Sequence, residues 1–374
     1  MPAGFLYDEA LTRNILREDH ILRPMRLRLV YELLQAYGVF QHPNALLIPP
    51  RIATPEELQD FHTRDYVEAV QAFSRGERLE EQRRYNFSDT GDNTVNPGMY
   101  EAAALAAGAS LRAAEAVWSG EAAIAFNAGG GFHHAMPGYA SGFCIFNDPV
   151  LAIRWLVKQG ARVVYVDIDA HHGDGVQSAF YDTDQVMTIS LHESGRYLFP
   201  NTGGVEEMGK DAGYGYSVNV PLAPHTVDET YLWAFRQVVP PLVRSFKPDV
   251  LATQLGVDTH VSDPLTHLAL TSYGHREAVR ELSRLSPGKW VAFGGGGYDL
   301  SAVTRCWTLD FATMVGIDLP DIVPAAFQEK YGLERVHDPH TPRIDNIKRE
   351  FARRMAEESV EAIRERIFPL HGMS

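Results

Sequence analysis

The sequence predicts an α/β fold, a doubly wound and mostly parallel sheet flanked by helices, and two features carry that prediction. Short β-rich runs recur along the chain, several too uniformly apolar to have one face in water. Helical segments separate them, the order expected of layered α/β folds. The strand candidates are AAIAF (122–126), RVVYVDI (162–168), VMTIS (186–190), YSVNV (216–220), DVLAT (249–253) and WVAFG (290–294). The helix candidates are 97–118, rich in Ala and Leu, 148–160, closed by Gly160, and 228–246, which ends before Lys247-Pro248. No Pro- or Ser-rich linker divides the chain, and polar motifs extend from residue 133 to residue 298, so one domain over residues 1–374 is expected. In its C-terminal helical extension, residues 340–370, the sequence sets Ile344, Ile347, Phe351, Met355, Ile363 and Ile367 near one face of a charged helix. That face is expected to pack on its own domain, with a contact between two copies as the lesser reading.

At 374 residues, 45% hydrophobic and 10% aromatic, the chain can bury a large core. A formal charge of −14 argues against nucleic-acid binding, which needs clustered Lys and Arg, and mildly favours cationic substrates. The two cysteines, Cys144 and Cys306, lie far apart, so neither a disulfide framework nor a thiolate zinc site is expected. Nothing reads as a signal peptide or a membrane span, and a reducing cytoplasm is the expected location.

VYVDIDAHHGDG (164–175) carries the strongest chemical signal, since an apolar strand runs into three aspartates and two histidines between Asp167 and Asp174. Burying so many ionisable groups together requires a metal, a catalytic network or both. Asp169 and His171, two positions apart in extended backbone, point the same way and can meet one ion. Asp258, in QLGVDTH at the end of another strand, supplies a third ligand. Two carboxylates and one imidazole suit Zn2+, Fe2+ or a similar ion and leave room for water and a substrate oxygen. A lone Asp-x-His is more often a surface loop or a satisfied hydrogen-bond pair, but that reading must also account for Asp258. GGGFHHA presents adjacent His133 and His134 behind three glycines, a pair suited to general base and acid, with Asp167 and Asp174 left to fix their tautomers. A phosphate loop is a poor fit, because no Lys-Ser or Lys-Thr follows. In WVAFGGGGYDL four glycines expose Tyr298 at a strand end, where its phenol can donate to a carbonyl.

GGGFHHA, SGFCIFND, VDIDAHHGDG, MTISLH, FPNTG, LGVDTH and FGGGGYDL, in this order and spacing, resemble the arginase/deacetylase superfamily over about residues 15–320. Within it they are most similar to class I-like histone deacetylases and their bacterial acetoin utilisation (AcuC) branch. The resemblance implies the arginase/deacetylase fold and metal-dependent hydrolysis of acyl-lysine amides. By position it implies Asp169, His171 and Asp258 as metal ligands, and His133 and His134 as the tandem histidines with partners Asp167 and Asp174. Tyr298 becomes the carbonyl-polarising tyrosine, Phe143 and Phe199 the tunnel walls, and Gly142 a backbone contact to the amide. Asp92 matches the rim carboxylate that holds the substrate backbone, and Arg26 an arginine near an acetate-release channel. Main-chain oxygens around Asp167, Asp169, His171 and Leu191, with Ser190, match a structural K+ site, while His172 has no ligand role. The implied partners are acyl-lysine proteins or peptides, among them acyl-CoA synthetases.

Two anionic ligands leave a divalent ion little net charge to acidify water, so a separate base is expected, and His134 is the better candidate. Three rivals are weighed against this reading. A ureohydrolase would need a second metal and lacks a use for His133, His134 and Tyr298. An acetylpolyamine hydrolase shares the chemistry and differs at the mouth, where an acid would suit it and this chain has Leu265. A silent acyl-lysine binding module would be expected to have lost a catalytic residue, and none is missing.

Overall fold

The computed structural model describes residues 2–13 and 15–373. Eight strands form one sheet: β1 (Ala3–Leu6), β2 (Ala45–Ile48), β3 (Ile124–Asn127), β4 (Val163–Asp167), β5 (Val186–Glu193), β6 (Ser217–Leu222), β7 (Val250–Gln254) and β8 (Trp290–Phe293). Every pairing is parallel, in the order β2-β1-β3-β8-β7-β4-β5-β6. The six expected strands are present, while β1 and β2 have no counterpart in the sequence reading. AGFL and ALLI are no shorter than β3 and β8, but each carries a single β-branched or aromatic residue where IAFN carries two and WVAF three, so the β signal is weaker.

Register aligns the functional edge. Asp167 pairs with both Gln254 and Ser190, Gln254 with Phe293, and Phe293 with Asn127, so the ends of β3, β8, β7 and β4 are level. The chain reverses its direction of travel across the sheet in this central region, where open parallel sheets place their ligand crevices. Helices flank the sheet in two groups. Met99–Ser119 packs on Asp148–Lys158, while Met25–Ala36, Leu300–Val315, Ser272–Leu285, Asp228–Phe246 and Asn346–Arg366 contact one another in succession.

The helix Asn346–Arg366 seats differently from the expected apolar stripe. It buries Ala352, Ala356, Ser359, Val360 and Ile363, whereas Ile347 is 80% exposed and Phe351 41% exposed. Small residues let the helix approach β6 closely enough for the Ser359 hydroxyl to donate to the Pro221 carbonyl at 2.8 Å. Cys144 and Cys306 are buried free thiols. Among the described residues, no helix is long and apolar enough to cross a membrane.

Candidate active site and metal centre

β4 ends at Asp167, and the chain continues over the edge through Asp169, His171 and Asp174. Asp167 sits between two functions. Its Oδ2 accepts from the Tyr165 hydroxyl at 2.7 Å and contacts His133 Nδ1 at 2.8 Å, while Oδ1 accepts the Asp169 amide at 3.1 Å. His134 Nδ1 lies 2.7 Å from Asp174 Oδ1, and the two Nε2 atoms of His133 and His134 face each other at 3.0 Å. Each Nδ1 must donate to its carboxylate, so a hydrogen bond between the Nε2 atoms needs one proton shared by the pair. The dyad is then one imidazolium and one neutral ring. Burial disfavours charge on His133, but Asp167 and Asp169 outweigh it and raise its pKa to about 9. For His134, burial and then the charge of His133 depress the value to about 4 despite Asp174. The proton belongs to the pair, with His134 the neutral partner near pH 7.

The glycine turns hold this arrangement together. Asp148, at the start of the helix Asp148–Lys158, accepts the Gly131 amide at 2.9 Å, the Phe132 amide at 2.8 Å and the Ser110 hydroxyl at 2.5 Å. Burial lifts its carboxyl to about 6 against those donors. Gly131, at φ 92°, lies so close to the second turn that a Cβ there would meet the Gly295 nitrogen at 2.6 Å. A Cβ on Gly296 would stand 2.1 Å from Asp258 Oδ2, and its amide donates to Asp169 Oδ2 at 2.8 Å. Four glycines in a row therefore let backbone close over two carboxylates.

Asp169, His171 and Asp258 converge as expected, with ligand atoms all within 4.8 Å of one another. His171 Nδ1 is 3.1 Å from Asp169 Oδ1 and 2.8 Å from Asp258 Oδ2. All three are buried, and neither carboxylate forms an ion pair with a Lys or Arg among the described residues. Burial, reinforced by Asp169, pushes the Asp258 carboxyl far above its usual range. Two buried carboxylates and one imidazole nitrogen, lacking a basic partner, fit a divalent cation. Gln254, at the end of β7, orients Asp169 by donating to Oδ2 at 2.5 Å.

A narrow cavity leads to this centre, lined by Leu22, Phe132, Gly142, Phe143 and Tyr298 above the two histidines. Phe143 adopts φ 70°, held by its amide donating to Asn93 Oδ1 at 3.0 Å, and its ring meets Tyr298 edge-on at 5.6 Å. Phe199 stands edge-on to His134 at 5.1 Å and is 41% exposed. A Cβ on Gly142 would strike His134 at 2.5 Å and Phe199 at 2.9 Å, so the wall closes on bare backbone. The Tyr298 hydroxyl has no hydrogen-bond partner among the described residues, and burial keeps its pKa well above the usual phenol value. It is a free donor facing the cavity. Asp263 accepts the Tyr298 amide at 2.9 Å, fixing the turn.

The remaining predicted residues lie further out. Asp92 is exposed on the rim beside His20, whose ring packs edge-on to Phe143 at 4.5 Å. Leu265 is half-buried, with its amide on Asp263 Oδ1 at 2.9 Å, and does not line the cavity. Arg26 is buried, donating to the Gly297 carbonyl at 2.9 Å and lying 4.9 Å over the Trp307 ring. Ser190 bonds His192 Nδ1 at 2.8 Å. His172 is no part of the centre and ties down a loop through Thr202 at 2.8 Å and Gln177 at 3.1 Å. Sequence reasoning missed His20, Leu22, Asn93, Asp148 and Gln254. Only Asp148 carried a local signal, an acid opening a helix at Asn147-Asp148-Pro149.

Comparison with known proteins adds a family. The histone deacetylase domain matches residues 20–314. The acetoin utilization protein AcuC of Bacillus subtilis (strain 168) is 42% identical over 333 residues, spanning 87% of this chain and 86% of that protein. AcuC of Staphylococcus xylosus is 39% identical over 323 residues, 85% and 83% of the two chains. Among solved structures, an HDAC homolog complexed with SAHA superposes with a TM-score of 0.85 at 32% identity, covering 96% of this chain and 99% of that one. An HDAC homolog from Aquifex aeolicus gives 0.84 at 31%, over 96% and 100%. The level strand ends, the paired histidines and the Asp-His-Asp trio thus occur in a chain that belongs to the histone deacetylase family, in its AcuC-like branch, and is a hydrolytic deacetylase.

Proposed function

We propose that this deacetylase removes acetyl or other short acyl groups from lysine side chains of cytoplasmic proteins, acyl-CoA synthetases among them. One observation carries the reading: an aromatic passage beside Phe143 and Phe199 that stops at two imidazoles, a phenol and three metal-ligating groups. Enclosing the four methylenes of a lysine arm there would contribute up to about 3 kcal/mol, at roughly 0.8 kcal/mol each. Asp169, His171 and Asp258 would hold Zn2+, with Fe2+ the next choice, and oxygens near Asp167 and Ser190 would hold K+. The divalent ion supplies Lewis acidity to the carbonyl and to water.

The rest of the chemistry belongs to side chains. Neutral His134, its Nδ1 proton held by Asp174, takes a proton from water as the water oxygen adds to the acyl carbon. Tyr298 donates to the carbonyl oxygen as charge develops there. When the C–N bond breaks, His134 returns the proton to the lysine nitrogen, leaving a carboxylic acid and an amine, which part at neutral pH as a carboxylate and the lysine ammonium. His133, charged between Asp167 and Asp169, stabilises the negative charge electrostatically. The Gly142 backbone meets the substrate amide, and Asp92 accepts from the peptide backbone outside. Arg26, a buried guanidinium with no carboxylate partner, suits the departing acetate. An acetylated polyamine is the second reading, favoured by the exposed Asp92 carboxylate, which also suits an ammonium. Turnover of acetyl-, propionyl-, butyryl- and lactoyl-lysine peptides beside N-acetylpolyamines, with metal content measured on the same sample, tests both. A higher kcat/KM for the peptides is expected, and preference for an acetylpolyamine over every peptide would overturn the protein-directed reading.

A further inference from the structure

Beside the tunnel lies a much larger depression, a cavity of about 450 Å3 between the 194–207 loop and the helix Asn346–Arg366. Its apolar lining includes Tyr197 and Phe351, 46% and 41% exposed, with half-buried Val205 and Met355. Arg196, Arg354, Glu206 and Glu358 line the same cavity and are exposed, and none of the four side chains makes an ion pair or hydrogen bond among the described residues. Exposed apolar side chains beside charges that no group of the chain has claimed are the ingredients of a recognition surface.

The groove opens at the same edge of the sheet as the tunnel. The helix runs antiparallel to β6: His371, beyond its end, bonds the Gly215 carbonyl before β6 begins, and Ser359 bonds Pro221 near the end of β6. Residues before Ser359 therefore rise past the carboxyl ends of the strands. Phe351 and Arg354 stand there. The 194–207 loop makes the connection, since Tyr197 and Asn201 line the groove and each lies two residues from Phe199, the tunnel wall. With consecutive Cα atoms 3.8 Å apart, neither is more than about 8 Å along the backbone from Phe199. A polypeptide advancing roughly 3.3–3.6 Å per residue outside the tunnel reaches the groove within a few positions of its acyl-lysine.

We propose that this groove is a substrate-peptide subsite, which accepts an apolar or aromatic side chain two to four residues from the acyl-lysine. The assignment rests on the lysine-deacylase reading above and deepens it, because a polyamine or free acyl amine would leave the groove empty. Three probes test it: an acetyl-lysine methylamide, a nine-residue Gly/Ala peptide with central acetyl-lysine, and the same peptide with Phe placed in turn at each position two to four residues away on either side. Wild type is expected to show a KM about tenfold lower for at least one Phe peptide than for the Gly/Ala peptide, with similar kcat. Phe351→Ala should erase that difference while leaving both constants for the methylamide unchanged, and Arg354→Ala should reduce it. Equal KM values for all peptides in wild type, or an undiminished Phe preference in Phe351→Ala, would overturn the subsite. Wild-type protein inert towards the methylamide and every peptide would overturn the lysine-deacylase reading itself, and the subsite with it.

Discussion

The molecule buries imidazole–carboxylate pairs in two places, to opposite effect. At the sheet edge His133 meets Asp167 at 2.8 Å, and Asp167 is also satisfied by Tyr165 and the Asp169 amide. Between the helices Ser272–Leu285 and Leu300–Val315, His275 Nε2 meets Asp310 Oδ2 at 2.9 Å, equally hidden. There the remaining atoms, His275 Nδ1 and Asp310 Oδ1, have no partner among the described residues, and burial raises the Asp310 carboxyl. The pairs are chemically alike. What separates them is the second nitrogen: on His133 and His134 it borders a cavity with a metal-ligating trio and a free phenol, on His275 it is sealed in packing. A buried His–Asp contact becomes machinery only when its far side opens onto a reactant.

Substitutions can break this contrast. Asp258→Ala removes one of three ligands, so bound metal and activity should vanish together while the protein stays soluble, read by metal analysis and turnover. Full activity with undiminished metal would refute the ligand assignment. His134→Ala should keep its metal and lower kcat by roughly two to four orders of magnitude. Tyr298→Phe should cost about two to three orders for peptide and polyamine substrates alike, because both use the same oxygen donor. Asp310→Ala is the counter-experiment: unfolding should show a loss of about 1–3 kcal/mol from the His275 nitrogen left without its partner, with kcat of the folded enzyme unchanged. A fall in kcat at undiminished stability would erase the distinction.

Acidity sharpens it. Because the dyad carries one proton between about pH 4 and about pH 9, kcat/KM should be bell-shaped, falling in acid as His134 is protonated and in base as His133 loses its charge. The smallest effect concerns His62, whose Nδ1 faces the Met136 carbonyl at 3.1 Å while Nε2 accepts the Asn147 amide at 3.0 Å. One donor and one acceptor can be satisfied only by a neutral ring, and burial holds its pKa near 3. The unfolded chain, titrating near pH 6.5, binds this proton first, so the contribution is complete above pH 6.5 and is lost as pH falls towards 3. The slope is at most about 1.4 kcal/mol per pH unit. Urea melts of wild type and His62→Gln from pH 7 to pH 4 should diverge in that direction.

What could be read in the sequence was local in the chain. Asp169 and His171 stand two positions apart just beyond β4, in bent rather than the expected extended backbone, where the His171 amide donates to Asp169 Oδ1 at 2.9 Å; with the histidines of GGGFHHA following their turn directly, closeness in the chain still proposed their company. Gln254 reaches Asp169 only through the register of β7 against β4, and Asp148 reaches the glycine turn only because two loops fold together. Periodicity misjudged the C-terminal helix by favouring large residues. The sheet selected Ala352, Ala356 and Ser359, whose small size permits close approach, and left Ile347 and Phe351 outside.

That seating has a consequence for biosynthesis. β6 is an edge strand, and an open edge invites pairing with another chain. The helix lies against it, beyond the 20–314 segment that matches the histone deacetylase domain, and Ser359 follows its partner Pro221 by 138 residues. At ribosomal speeds of about 5–20 residues per second, roughly 7–28 s separate the making of the edge from the making of its cover. A nascent chain crosses that interval with β6 unguarded, and a chain cut at residue 340 never leaves it.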